Sequence, residues 1–293
     1  SLKKATRLDP DNDEAHSFLA ATNGFLGESD LAALKKSITP VGTEPNVHTV
    51  FNTKKTSDKK DHAVVHYKSS DLYLKKGAKW RITERMVVQI LDSTGINMFS
   101  EMIHPFEPGY DYLYINNLAV YTKALNLRYN APLKDFYISN EMDNNAATGS
   151  RLAHLPLRKL DIGDIITLTL TRSSVEKSDE APFHDHHSSL SVPVYTDIFT
   201  LHADTAEVVY EDYGDNTLSI APHSITWVSK DPVIIRKENF MPDYMEYGTG
   251  VRVSSKRSWS EVGKAYESSI EHQFKSSLGI KEYSISRGGI SYR

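Results

Sequence analysis

Cysteine is absent from the 293-residue chain. That absence removes disulfides, thiolate metal sites and any cysteine nucleophile from this stretch. It leaves the compartment open, because cysteine-free proteins occur in the cytoplasm and in the bacterial periplasm. Long apolar runs are also missing, and none approaches the ~20 residues that span a bilayer. Lys3, Lys4, Arg7 and Asp9 interrupt any apolar stretch at the start, so no signal peptide is read there. The chain begins in mid-pattern, as expected of a piece cut from a longer polypeptide. A basic excess is lacking too: the net charge is −4, which argues against a nucleic-acid partner. Lys54-Lys55, Lys59-Lys60 and Lys75-Lys76 stand beside acids and turn residues, and read as solvated loop charge. Catalytic signatures are few. There is no G-x-S-x-G elbow, no phosphate-binding glycine loop and no H-E-x-x-H helix. Gly248-Thr249-Gly250 lacks the rest of a dinucleotide fingerprint and reads as a flexible joint.

What is present suits a folded β protein. The chain is 39% hydrophobic and 10% aromatic, with 16 tyrosines, enough for a proper core and too much for a disordered chain. The organising stretch is Trp80 to Asp92. Trp80, Ile82, Met86, Val88 and Ile90 share one parity, and Arg81, Thr83, Arg85 and Gln89 share the other. A period of two marks a strand. Glu84, Val87 and Leu91 break the pattern, so both faces are expected to be partly covered. A turn is expected at Ser93-Thr94-Gly95.

Further strands are expected over His62 to Tyr67 and Ser70 to Leu74, with Lys75-Lys76-Gly77 as a hairpin turn. Asn97 to Phe106, Tyr112 to Thr122 and Ala124 to Tyr129 follow, the aromatic and β-branched content favouring strand. Ile138 to Gly149 reads as a loop, Arg151 to Lys159 as holding a short strand, and Ile165 to Thr171 as strongly β. Ser173 to Ser189 reads as polar and mobile. Later strands are expected at Val192 to Leu201, Glu207 to Glu211, Thr217 to Ile220, Ser224 to Val228 and Val251 to Ser254. Short strands with frequent turns and no interleaved helices point to an antiparallel β-sandwich.

The expected domains are a helical end at 1–40, a linker at 41–61, a β-sandwich at 62–235, and a connector with a helix at 236–293. One short strand is expected in the linker, near Val47 to Phe51. Ser258 is the expected cap of the final helix, with Glu261 as its capping-box partner. At the other end, Ala5-Thr6-Arg7-Leu8-Asp9-Pro10-Asp11-Asn12, Ala15 and Leu19-Ala20 resemble the junction between two tetratricopeptide repeats. Asn23 departs from that pattern, where the repeat usually has an aromatic residue.

A wider resemblance rests on order rather than one motif. It is carried by Arg85 to Gly95, Pro105-Phe106, Leu155 to Ile166 with its Leu-Asp-Ile-Gly-Asp-Ile turn, Met241-Pro242, and Val253-Ser254-Ser255 leading to Ser258-Trp259-Ser260-Glu261-Val262. Together these resemble the uncharacterised β domain that precedes transglutaminase-like domains in bacterial proteins. The resemblance implies a bacterial cell-envelope or periplasmic setting, and neighbouring domains as partners. Transglutaminase-like enzymes use a Cys, His and Asp set, and no position here matches that cysteine. The expected role is therefore a non-catalytic interaction or scaffolding module, with no cofactor.

Two constellations offer alternatives. His184-Asp185-His186-His187 has metal-ligand character: in an extended strand His184 and His186 share a face, with Asp185 and His187 turned away. Zinc would need three or four converging ligands, so His184, His186 and His187 would require help, for instance from His202 or His223. The alternative is a solvated polar loop. Tyr110, Tyr112, Tyr114 and Tyr121 offer flat apolar faces with polar tips, suited to a glycan or peptide groove. The alternative there is cross-strand packing. Adjacent carboxylates such as Glu211-Asp212 and Asp179-Glu180 face opposite ways if extended, whereas glycosidase chemistry needs two carboxyls roughly 5 to 9.5 Å apart across one bond.

Overall fold

The alternation from Trp80 to Asp92 is realised as a ten-residue strand, Arg81–Ile90. A computed structural model describes residues 34–35, 38–51, 60–143, 146–177, 183–235, 247–256, 260, 263–264, 267, 283–286 and 289–292. The expected repeat junction and the expected cap at Ser258 with Glu261 lie outside the described residues, whereas residues 260, 263–264 and 267 of the expected final helix are helical. The strands in chain order are β1 (Leu34–Lys35), β2 (Ala63–Tyr73), β3 (Arg81–Ile90), β4 (Glu101–Phe106), β5 (Asp111–Tyr121), β6 (Leu127–Asn130), β7 (Tyr137–Asp143) and β8 (Ala146–Pro156). Then follow β9 (Ile165–Ser174), β10 (His184–His187), β11 (Thr196–His202), β12 (Val208–Tyr213), β13 (Asn216–Ala221), β14 (Ser224–Lys230), β15 (Gly250–Ser255), β16 (Tyr283–Ser286) and β17 (Gly289–Tyr292). Among the described residues, the helices with complete bounds are α1 (Val47–Phe51) and α2 (Ser93–Phe99). The chain forms two compact units, Ser1–Ser254 and Ser255–Arg293. The described part of the second contains the antiparallel hairpin β16–β17.

The first unit is mainly β and sandwich-like. Its central sheet runs β1-β5-β9-β3-β2-β11-β14-β13, with β6 paired to β5. Pairing is antiparallel except at β1–β5 and β2–β11. Two three-stranded sheets, β4-β8-β7 and β10-β15-β12, complete the unit. Both cover the same face of the central sheet, as the parity of β3 shows. Val88 and Ile90 share a core with Met102, Phe106, Ile138, Ala153 and Leu155 of the first small sheet. Ile82 shares a second core with Phe199, Trp227, Val208, Val251 and Val253, reaching the other small sheet. Ile82, Val88 and Ile90 are an even number of residues apart, so they project to one side.

The opposite face carries Thr83, Arg85, Thr169 and Thr171, all of them buried. Residues 38–51 supply part of the cover, although most of that segment reads as linker from sequence. Val41 donates its N–H to Thr83 Oγ1 at 2.8 Å, and the Phe51 ring lies 4.5 Å from that of His66. The expected strand at Val47–Phe51 is instead the helix α1.

Other elements differ from the sequence reading for local reasons. The turn expected at Ser93-Thr94-Gly95 is the start of α2, because the Asp92 side chain accepts the Gly95 N–H at 2.9 Å and caps the helix. The loop expected at Ile138 to Gly149 is largely β7 and β8, which pair antiparallel. Asn140 and Asp143 lie within β7 and do not prevent strand formation, because a ladder partner satisfies the backbone. The two strands expected at His62–Tyr67 and Ser70–Leu74 are one strand, β2, over Ala63–Tyr73, with an irregularity between Val65 and Tyr67. β10 forms inside the segment expected to be mobile, held by β15.

Gly95 is needed at its position for space. A Cβ there would lie 2.0 Å from the His62 carbonyl oxygen, a backbone atom that cannot rotate away. Gly95→Ala is expected to cost about 1–3 kcal/mol, as overpacking does, measured as a lower urea midpoint with an unchanged m-value.

Candidate functional site

β10 places its four polar residues alternately. His184 and His186 turn toward Phe199, with ring centroids 5.5 and 4.8 Å from it. His186 Nε2 lies 2.6 Å from Asp197 Oδ2, with both side chains almost fully buried. Lys68 Nζ approaches the same oxygen at 3.3 Å and donates to the His187 carbonyl at 2.6 Å. Burial alone would raise the Asp197 carboxyl, but the charges of His186 and Lys68 outweigh it and hold the group well below the usual carboxylate range. His184 keeps partial exposure as a residue, yet its Nε2 is buried without a hydrogen-bond partner. Burial, aided by the neighbouring His186 and Arg172 charges, pushes its pKa down to about 3.

The other two residues of β10 face away. Asp185 accepts from Tyr213 Oη at 2.8 Å and from Arg252 Nε at 2.9 Å. His187 Nδ1 is 3.2 Å from Tyr213 Oη. His202, a candidate helper for a metal, instead places Nε2 2.9 Å from Asp71 Oδ1. Among the described residues, no three His, Cys, Asp or Glu side chains are arranged to hold a metal ion. The chemistry of this cluster is pairing: it fastens β10 to β2, β11, β12 and β15.

The tyrosines divide in the same way. Tyr110 is 52% exposed, while Tyr112 and Tyr114 are 4% and 8% exposed. Tyr112 and Tyr114 pack edge to face at 6.3 Å, and Lys79 Nζ sits 5.6 Å from the Tyr112 centroid. Tyr110 contacts Trp80 at 6.2 Å. These positions do not form an open row.

A third group joins residues 41–44 to the sheet. The Arg85 side chain is fully buried. Its guanidinium donates to Asp71 Oδ2 at 2.8 Å, to Glu44 Oε1 at 3.2 Å and to the Val41 carbonyl. Thr169 Oγ1 donates to the other Glu44 oxygen at 2.9 Å.

A fourth group escaped the sequence reading. It lies on β4, β7 and β8, across the face opposite their core residues. Ile103 and Tyr137 both stand opposite His154 in register. Ser139 Oγ is 2.8 Å from His154 Nε2, and His154 Nδ1 is 3.4 Å from Glu101 Oε1. Tyr137 donates its hydroxyl to Glu101, and its ring stacks on His154 at 4.4 Å and 6°. The hydrogen bond from Tyr137 holds the Glu101 carboxyl below its ordinary range, with His154 adding to the effect. Ser139 was hidden because its segment reads as a loop, which gives it no register with His154.

Residues 77–232 match the model of a family described as a domain of unknown function with a solved structure, DUF3857. No curated protein matches the chain. Among solved structures, a protein from Parabacteroides distasonis described as a candidate protease is similar, with a TM-score of 0.60 and 16% identity. The alignment covers 74% of this chain and 44% of that one, so the chain spans less than half of that relative's length. An M1 zinc metallopeptidase from Deinococcus radiodurans aligns at a TM-score of 0.33 and 11% identity, over 67% of this chain and 43% of that one.

Proposed function

The chain belongs to the DUF3857 family, and from that premise we infer that it serves as an interaction and positioning module of a larger bacterial protein. In this reading it stands between a repeat array and a transglutaminase-like domain, and its partners are those neighbours. The observation that carries the reading is where the buried charge goes. Arg85 with Asp71 and Glu44, and Lys68 with His186 and Asp197, join separate segments of one unit. Charges spent on holding segments together suit a rigid spacer. The match to only part of a longer relative supports the place of the module within a larger chain.

The test compares the longer polypeptide with and without residues 62–235. Removing the module is expected to leave the transglutaminase-like unit folded, while lowering its kcat/KM on a macromolecular acyl donor by at least ~10-fold, the scale of a lost local-concentration effect. Hydrolysis of a small acyl donor by that unit should stay the same. An unchanged kcat/KM on the macromolecule would overturn the positioning role.

A further inference from the structure

Strands β4, β8 and β7 carry alternating side chains, and Met102, Ala153, Leu155 and Ile138 take the core side. Glu101, His154 and Ser139 are therefore left together on the outer side. A serine hydroxyl, an imidazole and a carboxylate follow one another at 2.8 and 3.4 Å. The order of atoms is specific. The serine meets Nε2, and the carboxylate lies beside Nδ1 of the same ring. The geometry points to a hydrolytic triad acting on small carboxylic esters, with Ser139 as nucleophile, His154 as general base and Glu101 as positioning residue.

The tautomer follows from the neighbours. An ionised carboxylate only accepts hydrogen bonds, so the ring proton is favoured on Nδ1, facing Glu101. That leaves the Nε2 lone pair to accept from Ser139 Oγ–H, which is the arrangement a general base requires. Nδ1 is buried and makes no hydrogen bond in the resting geometry, so the 3.4 Å approach to Glu101 closes by a small ring movement. Catalytic hydrogen bonds are often long before substrate binds. Tyr137 restrains this pair from two sides, stacking on the imidazole and donating to the carboxylate. The ladder between β7 and β8 becomes irregular between Asn140 and Met142, one residue beyond Ser139, and such irregularities are enriched beside active sites.

The surroundings set the substrate class. Ile103 and Tyr137 are 47% and 44% exposed on either side of His154, and offer apolar contact to a short acyl chain. The group sits on an open sheet face, which suits small substrates. An unactivated amide would also need preorganised donors for the oxyanion, whereas an ester with a good leaving group makes less demand. In the first step Ser139 Oγ bonds to the carbonyl carbon and its proton passes to His154 Nε2. The carbon–oxygen bond to the leaving group then breaks, and the alkoxide takes that proton. Water next attacks the acyl-serine, gives a proton to His154, and releases the carboxylic acid as Ser139 recovers its hydrogen.

This chemistry goes beyond the module reading and would make the stretch catalytic, against the expectation from sequence. It needs no neighbouring domain, so ester turnover and the deletion experiment can each fail alone. The test uses the 293-residue chain with p-nitrophenyl acetate and a fluorophosphonate probe. One label is expected on Ser139 by peptide mapping. Ser139→Ala and His154→Gln are each expected to remove at least ~100-fold of the ester rate, the ordinary share of general base catalysis. Glu101→Gln should lower kcat by about 10-fold with KM unchanged, because the carboxylate acts through the imidazole and does not touch the substrate. Circular dichroism and thermal midpoints check that the variants fold. Because the chain has no cysteine, Ser139→Cys adds a single thiol. Its alkylation by iodoacetamide near pH 7 should be at least ~10-fold faster with His154 present than in the His154→Gln background. Equal ester rates in the native chain and Ser139→Ala, or equal alkylation in the two thiol backgrounds, would overturn the triad.

Discussion

Arg85→Ala is expected to lower the free energy of unfolding by about 3–5 kcal/mol, the range seen when one partner of a buried ion pair is removed. The side chain is wholly inaccessible, and its three contacts reach Asp71, Glu44 and the Val41 carbonyl. Removing it leaves the largely buried Asp71 carboxylate with His202 as its remaining partner in this group, and leaves residues 41–44 tied to the sheet through Val41 to Thr83 and Thr169 to Glu44. Arg85→Lys should recover only part of the loss, because an ammonium on a single stem cannot reproduce the planar fork of donors. Gly42 belongs to the same construction. Its φ is +76°, and a Cβ there would fall 2.3 Å from the Asp71 carboxylate, so this close approach requires glycine. Urea titration measures the loss, and hydrogen exchange should show residues 41–51 opening before β3 and β9. A change below about 1 kcal/mol would show that the ion pairs merely balance their desolvation.

Acid should weaken the fold well before the carboxylates titrate. His66, His104, His184 and His187 are all held below the ordinary imidazole value, chiefly by burial. In the unfolded chain each returns to roughly 6.5. Below that pH the unfolded state therefore binds more protons, and stability falls as pH falls. His184, lowered to about 3, gives the largest resolved contribution: about 2 kcal/mol lost between pH 7 and pH 5, at roughly 1.4 kcal/mol per pH unit. Asp197 acts in a different window. Its depressed pKa adds stability that persists until pH drops below the usual carboxylate range. Loss above pH 5 therefore reports the histidines. Urea midpoints at pH 7.5, 6 and 5 should show the decline, and His184→Phe should flatten the slope by about one proton. A native slope that His184→Phe leaves unaltered would remove His184 as its source.

These two effects mark different degrees of legibility in the sequence. β3 was readable because eight of its ten residues alternate strongly enough to identify a strand without knowledge of its neighbours. The prediction that both its faces are covered also follows from that stretch, since Glu84, Val87 and Leu91 blur the alternation. The role of Arg85 was not readable. Its parity assigns it to the polar face, but its burial depends on Val41 and Glu44, 44 and 41 residues earlier.

The histidine cluster was legible as a cluster and not as a structure. Alternation implies that His184 and His186 share a side in an extended segment. Only the pairing of β10 with β15 makes that segment a strand, and only the position of β11 supplies Asp197 and Phe199. The outer group on β4, β7 and β8 lies further from reach. Polar residues at 138–149 favour a loop on local grounds, and a ladder partner at 146–156 overrides that preference.

The sequence by itself determined the fold class of this protein: alternating β-branched and aromatic runs, punctuated by turns, admit a β-sandwich and little else. It also determined the absence of thiol chemistry from the stretch. The tertiary structure decided which sheets share a core, which charges are buried against each other, and that Ser139, His154 and Glu101 meet. The physical reason is that side-chain direction along a strand is a local property with period two, whereas register and sheet order are set by contacts between distant segments.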